Sequence, residues 1–173
     1  VVALPGATVV AAADPHGPSL DDARRAAGPD LGPALAVYTD HREMLDREQL
    51  DAVVVATPNH THRDVLRDGW GHPDLAVLIE KPLTLDAAEA GELTQAFQSR
   101  GLVGAVGHIE RYNPALQQAR DRIEGGQLGE IHQVATRRQG PFPARIGDVG
   151  VILDLATHDI DLTAWVTQQR YSR

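Results

Sequence analysis

The chain has 173 residues, 42% of them hydrophobic and 23% charged, with no cysteine and a formal net charge of −8. That acidity argues against a nucleic-acid partner, and the missing thiols exclude disulfides, thiolate metal sites and cysteine nucleophiles; no apolar run approaches the roughly 20 residues that span a membrane. What remains is a water-soluble, cytoplasmic small-molecule protein of one domain, or of one domain and part of a second.

Residues 8–13, with Val9 and Val10, form a short apolar run closed by Asp14-Pro15 and Gly17-Pro18, the pattern of a buried strand delivered into a loop. Ser19, followed by Asp21, Asp22 and an Ala/Arg-rich stretch to Ala27, predicts a capped helix. After the turn cluster 28–33 come a brief strand over 36–38 and a helix over 40–50 spaced by Met44, Leu45 and Leu50. Residues 52–56 read as a second buried strand ending in Thr57-Pro58-Asn59, with a helix over 60–69. The run 75–79 is a third apolar strand, closed by Glu80-Lys81-Pro82. A helix over 85–100 carries Leu85, Ala88, Leu93, Ala96 and Phe97 on one stripe, and 102–106 is a fourth strand.

Apolar strands without alternation, separated by single helices, predict a parallel sheet covered on both faces. Residues 1–107 are therefore expected to be α/β, a partial doubly wound Rossmann sheet. In such sheets ligands sit at the carboxyl ends of the strands. Asp14, Thr57-Pro58-Asn59, Glu80-Lys81-Pro82 and Gly107-His108 each follow a strand, so all four clusters are expected on one edge. Beyond Gly107 the pattern changes. A helix over 114–124 is broken by Gly125, Gly126 and Gly129; 131–137 alternates like a half-buried strand; 139–147 is a loop with two prolines. A helix over 149–166 carries Ile152, Leu155, Leu162 and Val166. We place a domain boundary near Gly107, with 108–173 opening a second, α/β (α+β) domain. Both ends, Val1 in place of Met and Arg173 after a helical pattern, are expected to be cut. The apolar start imitates a signal core, but it lacks a basic leader and Pro5-Gly6 breaks it.

Lys81 is the only lysine among 16 basic side chains. The chain uses arginine wherever any cation serves, so a lysine marks a place where guanidinium would fail: a compact charge whose basicity shifts on burial. Pro82 fixes its turn. The plain alternative is a surface lysine. Asp14 ends a strand, where an acid accepts hydrogen bonds from an adenosine ribose and favours NAD over the 2′-phosphorylated form; it could equally be a turn aspartate before proline. The glycine fingerprint belongs about 20 residues upstream, before Val1. Gly69 and Gly71 have its opening spacing but follow a helix. Asp154 and His158 lie one helical turn apart, with Asp161 extending the stripe: an imidazole oriented by a carboxylate suits a general base, and such a stripe also suits a solvated face. His60 and His62 bracket Thr61 and could hold zinc in a hydrolase together with His158 and an aspartate, or cap a helix and touch a ligand. Arg111-Tyr112-Asn113-Pro114 could clamp phosphate or sugar hydroxyls, or cap the next helix. Arg137 and Arg138 could join Arg111 at a pyrophosphate or be solvated.

Taken together, 13–15, 55–62, 80–83, 107–114 and 150–159 resemble, in order and spacing, the glucose–fructose oxidoreductase/inositol dehydrogenase (Gfo/Idh/MocA) family. The resemblance implies an N-terminal Rossmann domain, a C-terminal α/β domain with a large open sheet, and a homo-oligomeric whole protein. It further implies oxidoreduction of a sugar, nucleotide-sugar or cyclitol hydroxyl by NAD or NADP. On this resemblance Lys81 is the catalytic lysine, and Asp154 with His158 the acid/base pair, Asp154 orienting the imidazole. Asp14, Thr57, Pro58, Asn59, His62, Glu80 and Lys81 face the cofactor; Arg111, Tyr112, Asn113 and His158 face the substrate; no metal is implied. Two rivals remain: a non-catalytic cofactor-bound sensor on the same fold, and the zinc hydrolase built on His60 and His62.

Overall fold

The strands are short runs rich in alanine and valine, marked by the apolar pattern, and they pair in parallel. The computed structural model describes residues 4–140 and 150–172. Its contacts divide the chain into two compact units, Val1–Val53 with Asp64–Ala76, and Val54–Arg63 with Val77–Arg173. Among the described residues no helix is long and apolar enough to cross a membrane.

In the first unit β1 (Ala11–Ala13) pairs in parallel with β2 (Ala36–Tyr38), Ala11 opposite Ala36 and Ala13 opposite Tyr38. Between them runs α1 (Gly17–Leu31), interrupted at Gly28, whose φ of 87° is closed to most side chains and which is followed by Pro29. The helix is entered at His16 rather than at Ser19. Asp14 takes the His16 N–H at 2.8 Å, so the turn forms three residues earlier than Ser19 suggests, and Pro18 sits in the first turn, where no N–H is needed. Asp40 caps α2 (His41–Arg47) by accepting from the Arg42 N–H. Leu20, Leu35, Leu45, Leu66 and Leu75 are the unit's buried aliphatics.

The strands β3 (Ala52–Val55), β4 (Ala76–Ile79) and β5 (Gly104–Val106) form a second sheet in that order. Val77 stands opposite Gly104 and Ile79 opposite Val106 in parallel register. The strands are thus hydrogen-bonded as two sets, where an unbroken apolar pattern leads one to expect a single sheet; pairing is non-local and the pattern does not encode it. Helix α3 (His62–Asp68) follows a 3-10 turn at Asn59–Thr61. Helix α4 (Ala87–Arg100) starts where Asp86 accepts from the Ala88 and Glu89 N–H groups. It buries Leu93 to 2% exposure and lays Phe97 on β5, so closely that a Cβ at Gly104 would stand 2.6 Å from the ring.

Helix α5 (Pro114–Glu124) has proline at its start and Asn113 as its cap. A π turn over Ile152–Ala156 leads directly into α6 (Thr157–Thr167). Arg120 of α5 stacks 4.6 Å from the Trp165 ring centre of α6. Residues 131–137 are not a strand. Alternation prepares a half-buried strand, but a strand exists only when a neighbour takes its N–H and C=O groups, and among the described residues none does. The expected loop over 139–147 falls mostly within 141–149, outside the described residues, as does the expected first residue of the helix at 149.

Candidate active site

Every group of this site belongs to the second unit. Lys81 leaves the carboxyl end of β4, across a cis Lys81–Pro82 peptide. Its Nζ donates to the Asp154 main-chain oxygen at 2.6 Å and to Asp154 Oδ1 at 3.1 Å. Both side chains are nearly covered, 15% and 13% exposed. A compact ammonium with three rotatable donors serves the carbonyl and the carboxylate of one residue together.

His158 stands in the same electrostatic neighbourhood. Burial, then the Lys81 ammonium and the Arg138 guanidinium, push its basicity below that of an ordinary imidazole, while Glu110 and Asp154 push back. Asp154 and His158 therefore share one site, but not in the expected way. Asp154 is bound to Lys81, and among the described residues no hydrogen bond joins it to the His158 ring. The reason is the π turn between them: the Thr157 N–H reaches back five residues to the Ile152 oxygen, so residues four apart no longer stack as they do on an α-helix. Asp154 positions the lysine, not the imidazole.

A second group of charges flanks this pair. Arg111 grips Asp161 with both arms of its fork, Nε donating to Oδ2 at 2.8 Å and Nη2 to Oδ1. Asp161 also draws His108, whose Nδ1 lies 3.4 Å away. Burial followed by the Arg111 charge lowers the basicity of His108 against the pull of Asp161. Arg138 bridges Glu110 at 3.0 Å and Asp159 at 3.3 Å. Sequence reasoning missed Glu110 and Asp159 as partners; their only signals are adjacency to Arg111 and to His158. Of the predicted clamp, Tyr112 is 79% exposed, and the Asn113 side chain accepts from the Ala115 N–H as the cap of α5. Arg137 is exposed.

The strand ends carry polar groups. Thr57, Pro58 and Asn59 form the turn after β3, where the Thr61 hydroxyl lies 2.8 Å from both Thr57 Oγ1 and the Pro58 oxygen. Glu80 is exposed after β4, and a Cβ at Gly107, just past β5, would come within 3.3 Å of its Oε2. Three of the four predicted clusters thus share the carboxyl edge of one parallel sheet. Asp14 ends β1 of the other sheet, its N–H on the Tyr38 oxygen and its Oδ1 holding the His16 N–H.

His62 departs from both sequence readings. It is 0% exposed, with Nδ1 2.8 Å from the Pro82 oxygen and Nε2 3.0 Å from the Thr57 oxygen. A ring fully enclosed and engaged at both nitrogens meets neither a cofactor nor zinc. His60 is exposed on the 3-10 turn, and among the described residues no three histidine or acidic side chains are grouped to hold a metal.

Residues 2–108 match the oxidoreductase family model, NAD-binding Rossmann fold, of the Gfo/Idh/MocA group, and residues 116–173 match a C-terminal domain of that group. A UDP-N-acetylglucosamine 3-dehydrogenase of Acidithiobacillus ferrooxidans is 40% identical over 119 residues, 69% of this chain and 36% of that protein. A scyllo-inositol 2-dehydrogenase (NAD(+)) of Bacillus subtilis is 29% identical over 170 residues, 96% of this chain and 48% of the relative. The crystal structure of scyllo-inositol dehydrogenase from Lactobacillus casei with bound NAD(H) and scyllo-inositol has the same fold, with a TM-score of 0.78 at 22% identity, over 96% of this chain and 50% of that one. The chain therefore spans between about a third and a half of the relatives it matches. It belongs to the Gfo/Idh/MocA oxidoreductase family.

Proposed function

We propose that the whole protein is an NAD(P)-dependent dehydrogenase acting on a hydroxyl of a sugar, nucleotide sugar or cyclitol. Residues 1–107 are its cofactor domain and 108–173 open its substrate domain. The observation that carries this reading is the Lys81–Asp154 contact, made between residues 73 positions apart, with the charges of both acting on His158. The donors at the ends of β3 and β4, the Thr57 hydroxyl, the Asn59 amide and the Glu80 carboxylate, suit ribose and amide groups, and the acid at Asp14, read from its place after β1, favours NAD over NADP. Bound nicotinamide supplies the hydride acceptor. The Lys81 ammonium, held by Asp154, donates a hydrogen bond to the substrate oxygen as negative charge develops there. His158 takes the proton of that hydroxyl, and its lowered basicity keeps the ring neutral and ready near neutral pH. Arg111 and Arg138, each already bound to carboxylates, line the substrate side as hydrogen-bonding frames.

The test is turnover of cyclitols, sugars and nucleotide sugars by the whole protein, with Lys81→Ala and His158→Ala beside it. Each variant is expected to lose about 10²–10⁴-fold in kcat while cofactor still quenches tryptophan fluorescence as in the parent. Undiminished turnover in either variant overturns the assignment. Cofactor binding by the parent with no turnover of any polyol points instead to a sensor.

A further inference from the structure

We propose that His62 is a positioning residue that locks the turn carrying Lys81 to the turn after β3. Two loops 25 positions apart in sequence, one ending in the Thr57 carbonyl and the other in the Pro82 carbonyl, meet on a single ring. The contacts are 3.0 Å and 2.8 Å, and the ring is the only fully buried polar side chain among the described residues. Pro82 is bonded directly to Lys81, so a ring that fixes the residue-82 carbonyl fixes the base from which the lysine side chain starts. The opposite contact fixes Thr57, the first residue of the turn whose side chains we assign to the cofactor.

The choice of residue follows from what such a place requires. A carbonyl in a part-buried corner gains from a donor, and this ring is within reach of both, its N–H serving one when neutral and both when protonated. An imidazole offers a nitrogen on each side of a rigid plane, one N–H when neutral and two when protonated. No aliphatic side chain of that volume offers either. The ring lies at the start of α3, directly after the 3-10 turn, which places it between the two loops rather than at their mouths. Lys81 in turn is held at its other end by Asp154. The lysine is thus tethered on two sides, through the neighbouring Pro82 carbonyl by His62 and at its ammonium by Asp154.

Lys81 is the only lysine in the chain, which makes it a reporter of its own placement. The rate at which an amine reagent modifies it, read by mass spectrometry of the peptide containing residue 81, measures how firmly the ammonium is held, with no need for turnover. His62→Leu keeps the bulk and removes the donors; it is expected to speed Lys81 modification about fivefold, the change that follows loss of one buried hydrogen bond. His62→Gln, which restores an N–H at similar reach, is expected to return the rate toward the parent. Leu93→Ala, a cavity made in α4 outside the residues of both turns, is expected to leave it unchanged. The proposal is overturned if His62→Leu modifies at the parental rate, or if Leu93→Ala accelerates Lys81 as much. Should His62→Leu fail to fold, His62→Asn takes its place: its amide falls short of the carbonyls, and acceleration relative to His62→Gln is the expected result, equal rates the overturning one. The idea rests on Lys81 meeting substrate only where it touches turnover: kcat is expected to fall in His62→Leu and recover in His62→Gln. If Lys81→Ala itself proves fully active, the catalytic reading fails while the labelling rates still judge the tether.

Discussion

The Lys81–Asp154 pair can be dissected because its two contacts differ in kind. Nζ meets the Asp154 main-chain oxygen at 2.6 Å and the carboxylate at 3.1 Å, so Asp154→Asn removes the charge and leaves the carbonyl contact standing. At 3.1 Å, with an effective dielectric of about 20, the attraction is about 5 kcal/mol before desolvation is set against it. With the side chains 15% and 13% exposed, much of that attraction survives, and a coupling of about 1–3 kcal/mol is expected. The assay is a double-mutant cycle of Lys81→Met and Asp154→Asn, each followed by urea unfolding at neutral pH. Lys81→Met alone should cost about 3 kcal/mol, since it strands a covered carboxylate, and the double variant should cost clearly less than the sum. The coupling should also persist in high salt, because a covered pair is little screened. Additivity within about 0.5 kcal/mol would show that the pair is a surface contact without mutual stabilisation, and would refute the reasoning.

Three further outcomes concern other parts of the site and fold. Arg138 is one of the two charges that, after burial, hold His158 below an ordinary imidazole. Arg138→Gln should therefore move the acid limb of kcat/KM to higher pH; an unmoved or lowered limb contradicts the assignment. Because the folded-state basicity of His158 is depressed, the stability its neutral ring contributes is present above the ordinary imidazole range and lost as pH falls through the depressed value, a loss His158→Asn should flatten. At the start of α4, Asp86→Ala should cost about 1 kcal/mol in urea unfolding and Asp86→Asn much less, since the cap needs an oxygen acceptor more than a charge.

Much of this was legible because it is local. Strand after strand in residues 8–106 lies within about three residues of its apolar run, because a buried parallel strand must be apolar on both faces. The spans of β2 and α5 are unchanged from the sequence reading, since turn residues and a proline mark their limits. Lys81 stood out by residue choice alone, and its contact with Asp154 is the kind of use that choice implies. What escaped notice depends on distant partners. The 131–137 alternation promised a strand, but pairing is not written in one segment. His62 reads as a ligand-facing histidine because burial cannot be seen in a motif; for Asn113, where substrate group and helix cap were both open, the cap is the use that forms, on the Ala115 N–H. The bridge from Arg138 to Glu110 and Asp159 joins residues 28 and 21 positions apart, beyond any periodicity.

The widened turn at Ile152–Ala156 sets the angular phase of everything after it. One residue of an α-helix subtends about 100°. Asp154 lies within the turn and Asp161 beyond it, and with the helix wound this way the first meets Lys81 and the second Arg111. Deleting a single position there would swing the distal acid, and His158 with it, by over a quarter of a circle relative to Asp154. A length change that most surface helices would absorb would here uncouple the two halves of one charged frame.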